Sequence, residues 1–305
     1  MLCHIGYVLQ KRKRSDTTEL DALLTYHISE TDSINKNIKL RARGNMRRTY
    51  CDMPPIRLNF KESKSLHDEF LNIDKIKMVT QCKAGNSETL LREYLVYKLF
   101  NVLTDKSFRA RLARVTYINT FKNSKPLVEY AFLIEPVEIL CKRLNMMEIK
   151  TVKTSQKVMK NDMMDRMAIF NYMIGNTDWS VPIYHNVTVL KQTTFPATEM
   201  LSIIPYDFDQ AGLVDAEYAA PFEGLGIEDV KERRYLGICR DEAGFTEAVK
   251  EFAIKKDDFF RVINDFPYLN ARVKKEMTIY LQGFFIDFDK RNSIIPKLQR
   301  ECINF

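Results

Sequence analysis

The sequence has no apolar run that approaches the roughly 18 residues needed for a membrane-spanning helix. Its first ten residues also lack the charged segment followed by a hydrophobic one that marks a secretory signal peptide. From these absences we expect no membrane span and, by default, a cytoplasmic protein. A longer natural form that carries an export signal is the alternative.

The cysteines also lack the spacing that is typical of a metal site or of a disulfide framework. The six cysteines include no CxxC pair, and no histidines stand near them at zinc-ligand spacing. They are scattered over the whole chain: Cys3, Cys51, Cys82, Cys141, Cys239 and Cys302. This pattern excludes a zinc knuckle and indicates no disulfide framework, so we expect reduced, mostly buried thiols.

Glycine and proline are scarce, with 10 of each among 305 residues, while 45% of the residues are hydrophobic. The sequence shows no low-complexity tract and no internal repeat. These features exclude a disordered or fibrous protein and leave enough apolar side chain for the cores of two lobes.

The charge is mildly basic, with 47 Lys and Arg against 40 Asp and Glu. Much of the excess lies in residues 11–14 and in the arginines at 41, 43, 47 and 48. Such a balance permits phosphate-bearing ligands, and a nucleic-acid or polyanion binder is one alternative, recognisable by a steep salt dependence. These arginines lack the interleaved aromatic residues that such binders favour, so no nucleic-acid partner is expected.

Alternating apolar residues predict strands in the first part of the chain, and an apolar spacing of three or four predicts a helix at 87–103. In the strand at 76–82, Lys77 faces away from Ile76 and Met78 because side chains alternate along a strand. Pro136 ends the last strand. We predict an N-terminal tail at 1–19 and a β-rich N-lobe at 20–137, with strands at 20–60 on either side of a loop, 109–118 and 128–134.

The remainder, 138–305, has a helical texture and is predicted to form a mainly helical C-lobe. The clearest helix is 155–174, whose methionine stripe indicates core packing and which Gly175 closes. Two strands at 187–190 and 200–205, with a turn near Pro196, follow it. Further amphipathic helices are predicted at 245–254, 257–264 and 271–288.

The residues with the clearest chemistry lie between these helical segments. Asp178 and Asn186 occupy the polar loop after the 155–174 helix, and Asp207 and Asp209 follow the two strands. Phosphoryl transfer needs hard oxygen ligands from more than one segment together with a base. Each residue alone is typical of a turn, but the order helix, Asp, Asn, hairpin, Asp matches the catalytic loop and metal aspartate of protein-kinase-like folds.

Three upstream residues are candidates for holding a nucleotide. Lys77 on its strand could reach the phosphates while Glu93 on the following helix holds the lysine. Lys83 or Arg57 could fill the same role as Lys77. The turn at Gly44 could cover phosphates with backbone N–H groups, and a hairpin turn is its alternative interpretation.

The chain contains RARGN at 41–45 and PPIRLNF at 54–60. These motifs resemble the opening signature of the CotH kinase-like family of spore-coat and related bacterial proteins. The similarity continues through LLREY at 90–94 and through 130–137 to Asp178, Asn186 and PYDFD at 205–209. It extends from about residue 38 to about residue 213, and the final third is only compatible with it.

The resemblance implies a two-lobed protein-kinase-like α+β fold in a bacterial protein that uses ATP with Mg²⁺ or Mn²⁺. It also implies transfer of a phosphoryl group to Ser or Thr hydroxyls of a protein substrate. Asp178 would be the catalytic aspartate, and Asn186 and Asp207 would bind the metal with Asp209 beside them. The loop from Asp178 to Asn186 is longer than in protein kinases, and no His-Arg pair precedes the aspartate.

The main rival hypothesis is a pseudokinase or interaction module that binds a nucleotide without transferring phosphate, since a fold does not secure an activity. Trp179 and His185 lie inside the proposed catalytic loop, and we interpret both as scaffold residues. No motif identifies the acceptor substrate or an oligomeric state.

Overall fold

The computed structural model describes residues 2–3, 18–60, 73–120, 123–150, 154–193, 200–289 and 294–304. The chain divides into two compact units. The first comprises Met1–Leu91 with Ala110–Ile139, and the second comprises Arg92–Arg109 with Leu140–Phe305. The helices Glu88–Leu103 (α2) and Val137–Leu144 (α3) contribute residues to both units.

The first unit is a closed β-barrel with the strand order β1-β2-β3-β4-β5-β7-β6. All neighbouring strands are antiparallel except β1 and β6, which pair in parallel and close the barrel. A short helix, Met46–Tyr50 (α1), lies between β3 and β4. The strands are Leu2–Cys3 (β1), Leu20–His27 (β2), Ser33–Ala42 (β3), Ile56–Asn59 (β4), Lys75–Thr80 (β5), Ala110–Asn119 (β6) and Leu127–Ile134 (β7).

Side-chain alternation along these strands builds the barrel core. On β3, Ile38 and Leu40 are buried, whereas Lys39 and Arg41 on the opposite face are only half-buried. On β4, Ile56 and Leu58 join the same buried cluster. The alternation predicted from the sequence therefore places charged side chains on the outside of β3 and β4.

A disulfide fastens the α1 segment to the end of β5. Cys51 and Cys82, which are both buried, form this bond. The Asp52 N–H donates to the Cys82 carbonyl (2.8 Å), and Arg47 Nη2 donates to the carbonyl of Thr80 (2.7 Å). The loop between β3 and β4 is therefore a fixed element and not a tight hairpin turn.

A second disulfide, Cys239–Cys302, joins the segment before the helix at 242 to the C-terminal end of the chain. The expectation of reduced thiols is thus wrong for four cysteines, while Cys141 takes part in no disulfide. The partners are 31 and 63 positions apart in the sequence, so only the tertiary fold brings them together and no local spacing could have indicated them.

The second unit is mainly helical and carries one small sheet, with the strand order β10-β9-β8. Its sheet is antiparallel and consists of Met146–Glu148 (β8), Val187–Gln192 (β9) and Ser202–Pro205 (β10). The helices that follow α3 are Asn161–Ile174 (α4), Glu242–Ile254 (α5), Lys256–Asn264 (α6), Ala271–Asp289 (α7) and Ile294–Glu301 (α8).

Helix α4 forms the centre of the second unit. Its predicted stripe is buried: Met163, Met167, Phe170 and Ile174 are each at most 1% exposed. The helix begins at Asn161, six positions later than predicted, because a 3₁₀ turn over Gln156–Val158 precedes it. Aromatic contacts such as that between Phe170 and Phe208 (5.9 Å between ring centroids) hold the following segments against this helix.

The α+β class, with a β-rich N-terminal part and a mainly helical C-terminal part, is confirmed. Residues 11–14 and the turn near Pro196 lie outside the described residues. Among the helices that are described, none combines the length and apolar character required to cross a membrane.

Candidate functional site

The site begins where α4 ends. Gly175 takes a left-handed conformation (φ 66°), and its N–H donates to the carbonyls of Asn171 and Tyr172, as in the usual glycine C-cap. The Tyr280 side chain lies against Gly175, and its hydroxyl donates to the Lys231 carbonyl (2.9 Å). Burial raises the pKa of Tyr280 to about 12, so this hydroxyl stays a neutral donor at physiological pH.

Two buried asparagines, Asn171 within α4 and Asn176 just after its cap, connect the end of the helix to Asp178 through hydrogen bonds. Asn176 Nδ2 donates to Asn171 Oδ1 (2.8 Å), and its own Oδ1 accepts from the Asp178 N–H (3.1 Å). Both asparagines are 1% exposed. This chain of side-chain hydrogen bonds fixes the backbone of Asp178 against the rigid end of α4.

The Asp178 carboxylate is held by one donor on each oxygen. His185 Nε2 lies 2.7 Å from Oδ1, and Asn186 Nδ2 donates to Oδ2 (2.9 Å) and to the Asp178 carbonyl (2.7 Å). When the Asp178 carboxylate is ionised it only accepts, and His185 Nε2 is then the donor of the first bond. Asp178 remains 34% exposed, so its carboxylate is oriented and still accessible.

The loop between Asp178 and Asn186 is closed by a small bridge. Ser180 and His185 exchange two backbone hydrogen bonds of 3.0 and 2.9 Å. Tyr184 and Asn186 both adopt positive φ values, 55° and 53°. Backbone strain of this kind costs about 1–3 kcal/mol per residue and persists where the surroundings enforce it, often at functional sites.

The β9–β10 hairpin places Asp207 next to Asn186. Val187 is opposite Pro205 in the strand register, and the Tyr206 N–H donates to the Asn186 carbonyl (3.0 Å). Asp207 also has a positive φ (62°), and its N–H donates to the Tyr97 hydroxyl (3.0 Å). Asp178 and Asn186 are thus hydrogen-bonded to each other, and Asp207 directly follows Tyr206, which is bonded to Asn186; we call these three residues the corner.

Asp209 lies two residues further along and is 8% exposed. Its Oδ2 accepts from the buried Tyr218 hydroxyl (3.0 Å). Downstream, the Gly212 N–H donates to the Gly175 carbonyl (3.0 Å), which ties this segment back to the end of α4. The segment after Asp209 is thus hydrogen-bonded to Gly175, where the loop that contains Asp178 begins.

Asn186, Asp207 and Asp209 offer the type of oxygen atoms that a hard divalent cation prefers. Asn186 uses its Nδ2 on Asp178, so its Oδ1 is the atom left for a metal ion. Asp207 and Asp209 add carboxylate oxygens, and Mg²⁺ is usually bound by a few such ligands together with phosphate oxygens and water. Within the described residues, no three or more His, Cys, Asp or Glu side chains form a metal cluster by themselves, so the fit depends on the asparagine.

The predicted nucleotide-binding residues lie on other elements. Lys77 is on β5 of the first unit, opposite Arg57 on β4, and it is half-buried. Gly44 follows β3 with φ 87°, a conformation that suits glycine. Glu93 is on the part of α2 that belongs to the second unit and is fully buried. The pairing of Lys77 with Glu93 stays a prediction.

The contact of His185 with the Asp178 carboxylate agrees with its interpretation as a scaffold residue. Sequence reasoning missed two residues of the site, Tyr97 and Asn171, which contact Asp207 and Asn176. A polar Asn within the apolar stripe of α4 was the one visible signal, because a buried amide requires partners.

Neither the protein-family models nor the curated proteins contain a match to the sequence. Among solved structures, the chain is similar to the crystal structure of the Helicobacter pylori proinflammatory kinase CtkA, with a TM-score of 0.42 and 10% sequence identity. The alignment covers 85% of this chain and 95% of the other. The functional argument therefore depends on the geometry of the site itself.

Proposed function

We propose that the protein is an ATP- and Mg²⁺-dependent phosphotransferase that phosphorylates Ser or Thr hydroxyls of a protein substrate. The observation that carries this proposal is the corner of Asp178, Asn186 and Asp207. It supplies an oriented, accessible carboxylate next to a set of hard oxygen ligands, which are the two parts that phosphoryl transfer requires.

Asp178 is the residue that accepts or orients the proton of the acceptor hydroxyl. Its two oxygens are fixed by His185 and Asn186 at 2.7 and 2.9 Å, so the carboxylate is preorganised before a substrate arrives. Because it is about one-third exposed, a hydroxyl from a second protein can reach it.

Asn186, Asp207 and Asp209 are the residues that would hold the divalent cation, Mg²⁺ or Mn²⁺. A cation bound there would neutralise charge on the transferred phosphoryl group and bridge the phosphates. The Tyr97 hydroxyl accepts from the Asp207 N–H and fixes its backbone, and the Tyr218 hydroxyl donates to Asp209 Oδ2 and orients that carboxylate. Lys77, Glu93 and the N–H groups near Gly44 are assigned to the nucleotide.

The disulfides bear on where this activity takes place. Stable disulfides are rare in the cytosol, where thiols are kept reduced, and this chain carries two. We therefore replace the cytoplasmic default with the proposal that the protein works in an oxidising compartment.

Thermal unfolding with and without Mg·ATP tests the nucleotide and metal assignments. A ligand present at a hundred times its Kd stabilises by about 2.7 kcal/mol, which is about 5–10 °C for a unit of this size. Asp207→Asn should abolish the rise, whereas Glu247→Gln, the same chemical change at an 80% exposed side chain, should preserve it. An unchanged rise in Asp207→Asn would contradict the metal role, and a rise without any transfer would identify a pseudokinase.

A further inference from the structure

Three cationic side chains lie side by side across the outer face of the barrel. Arg41 on β3 is directly opposite Arg57 on β4, and Arg57 is directly opposite Lys77 on β5. We call these three residues the cation row. Residues opposite each other on neighbouring antiparallel strands have Cβ atoms about 4.5–5.5 Å apart, so the three charges are close together.

The side chains of the cation row share one face because the residues next to them in sequence point inward. Leu40 and Ala42 flank Arg41, and Ile56 and Leu58 flank Arg57; all four belong to the buried core of the barrel. The row itself is half-buried. Its charges are therefore confined to a partly desolvated surface, where they interact more strongly than in open water.

Among the described residues, the charges that act on Arg57 are mainly positive. Burial comes first among the causes that lower the pKa of Arg57 below its ordinary value, and repulsion from Arg41 and Arg43 comes next. Glu19 acts in the opposite direction, but its carboxylate also accepts from Asn59 Nδ2 (3.0 and 3.3 Å). The folded barrel thus holds Arg57 close to Arg41 and Arg43 in spite of the repulsion between them.

Like charges placed directly opposite each other destabilise a sheet. A protein tolerates such a local cost most readily where a ligand of the opposite sign is bound, because binding sites trade stability for function. The arrangement therefore favours an anion that touches β3, β4 and β5 together. Two inter-strand spacings of about 4.8 Å set the length of that anion at about 10 Å, which fits a short chain of phosphates.

The loop beside the cation row offers few backbone N–H groups that could bind phosphate. Between β3 and β4 the sequence contains one glycine, Gly44, and α1 with the Cys51–Cys82 disulfide takes up the rest of the loop. A glycine-rich loop holds phosphates with several N–H groups; here the few near Gly44 need arginine side chains as additional donors. Arg is suited to this role because its planar fork binds phosphate oxygens in pairs.

We propose that the cation row binds the phosphate chain of a nucleoside polyphosphate, with Arg41 and Arg57 as phosphate ligands in addition to Lys77. The proposal rests on the proposed function in that the phosphates are those of ATP. A nucleic acid is the disfavoured occupant, because the outward positions of the described strands β3 to β5 carry no aromatic side chain on which bases could stack.

Titration calorimetry with inorganic tripolyphosphate in the absence of divalent metal tests the site alone. Removing one charge-assisted contact should raise the Kd by about 10- to 100-fold in Arg57→Gln and in Arg41→Gln. Arg114→Gln, the same change at an exposed position of β6 in the same unit, should stay within about 2-fold of the wild type. Arg57→Lys, which keeps the charge but not the fork, should fall between these results.

Thermal unfolding of the same variants guards against a folding defect. Without ligand, Arg57→Gln should unfold at a temperature equal to or above that of the wild type, since it removes repulsion. Equal tripolyphosphate affinity for Arg57→Gln, Arg41→Gln and Arg114→Gln would overturn the proposal. So would Arg57-dependent binding of a single-stranded DNA oligonucleotide together with no binding of tripolyphosphate.

The outcome separates this inference from the proposed function. If tripolyphosphate binding depends on Arg57 while the wild type transfers no phosphate from Mg·ATP, the anion site stands and the kinase activity fails. If transfer occurs and the KM for ATP is unchanged in Arg57→Gln, the kinase activity stands and the cation row is refuted.

Discussion

Removing the Cys239–Cys302 disulfide should strongly destabilise the second unit. The bond joins residues that are 63 positions apart. In the chain-entropy description, closing a loop of this length raises the free energy of the unfolded chain by about 4 kcal/mol. For a unit of this size, about 2–4 °C of unfolding temperature corresponds to each kcal/mol, so the double variant Cys239→Ala/Cys302→Ala should unfold about 8–16 °C below the wild type in scanning calorimetry.

The cysteine outside the disulfides provides the control. Cys141→Ala breaks no disulfide and should shift the unfolding temperature by no more than about 4 °C. Peptide mapping without reduction should recover the fragments containing Cys239 and Cys302 as one linked species. Equal unfolding temperatures for the double variant and the wild type, or free thiols at both positions in air-oxidised protein, would refute the reasoning.

Three further predictions concern the second and first units. Glu276→Gln should lower stability at pH 7 by about 1 kcal/mol. The hydrogen bond from Arg92 lowers the pKa of Glu276, so in urea unfolding the difference should persist above pH 4.5 and vanish as the pH falls through the lowered value. Gly175→Ala should cost at least about 2 kcal/mol because of its positive φ and the adjacent Tyr280, whereas Gly85→Ala, with positive φ but open space, should cost about 1 kcal/mol; thermal unfolding compares them. His185→Leu should lower kcat about 10- to 100-fold with the KM for ATP unchanged. His185→Gln, which keeps a hydrogen-bond donor, should retain most of the wild-type kcat. Equal losses of kcat in both variants would show that the donor at this position is irrelevant.

Much of the barrel could be predicted because apolar and polar residues alternate along its strands. Ile38 and Leu40, or Ile56 and Leu58, repeat every second residue, and the structure buries each of these pairs. The helix after Lys77 and the methionine stripe of α4 were visible for the same reason. Local periodicity follows from burial of one face, so it survives in the sequence without any tertiary information.

Element boundaries and long-range bonds were less accessible. The start of α4 moved to Asn161 because Ser155 caps a 3₁₀ turn and not the helix itself. The Cys51–Cys82 and Cys239–Cys302 bonds depend on which strands and termini meet in three dimensions. Neither the pairing partners nor the oxidising compartment that they favour leaves a pattern in the local sequence.

For the candidate site, the order of the residues was informative and their contacts were not. The succession of Asp178, Asn186 and Asp207 around a hairpin could be found from spacing alone. The contact of His185 with Asp178 could not, because it depends on the bridge that folds residues 180–185 back on themselves. The roles assigned to these residues remain predictions that depend on activity measurements.

The most direct measurement is transfer of label from γ-labelled ATP, with Mg²⁺, to the protein itself and to proteins of a cell lysate. The wild type and Glu247→Gln, which changes a carboxylate on α5 that is not part of the candidate site, should produce the same labelled bands. Asp178→Asn should keep the thermal shift with Mg·ATP but lose about 10²–10⁴-fold of the transfer rate, the usual contribution of a general base. Full transfer by Asp178→Asn, or no transfer by the wild type under any of these conditions, would contradict the account.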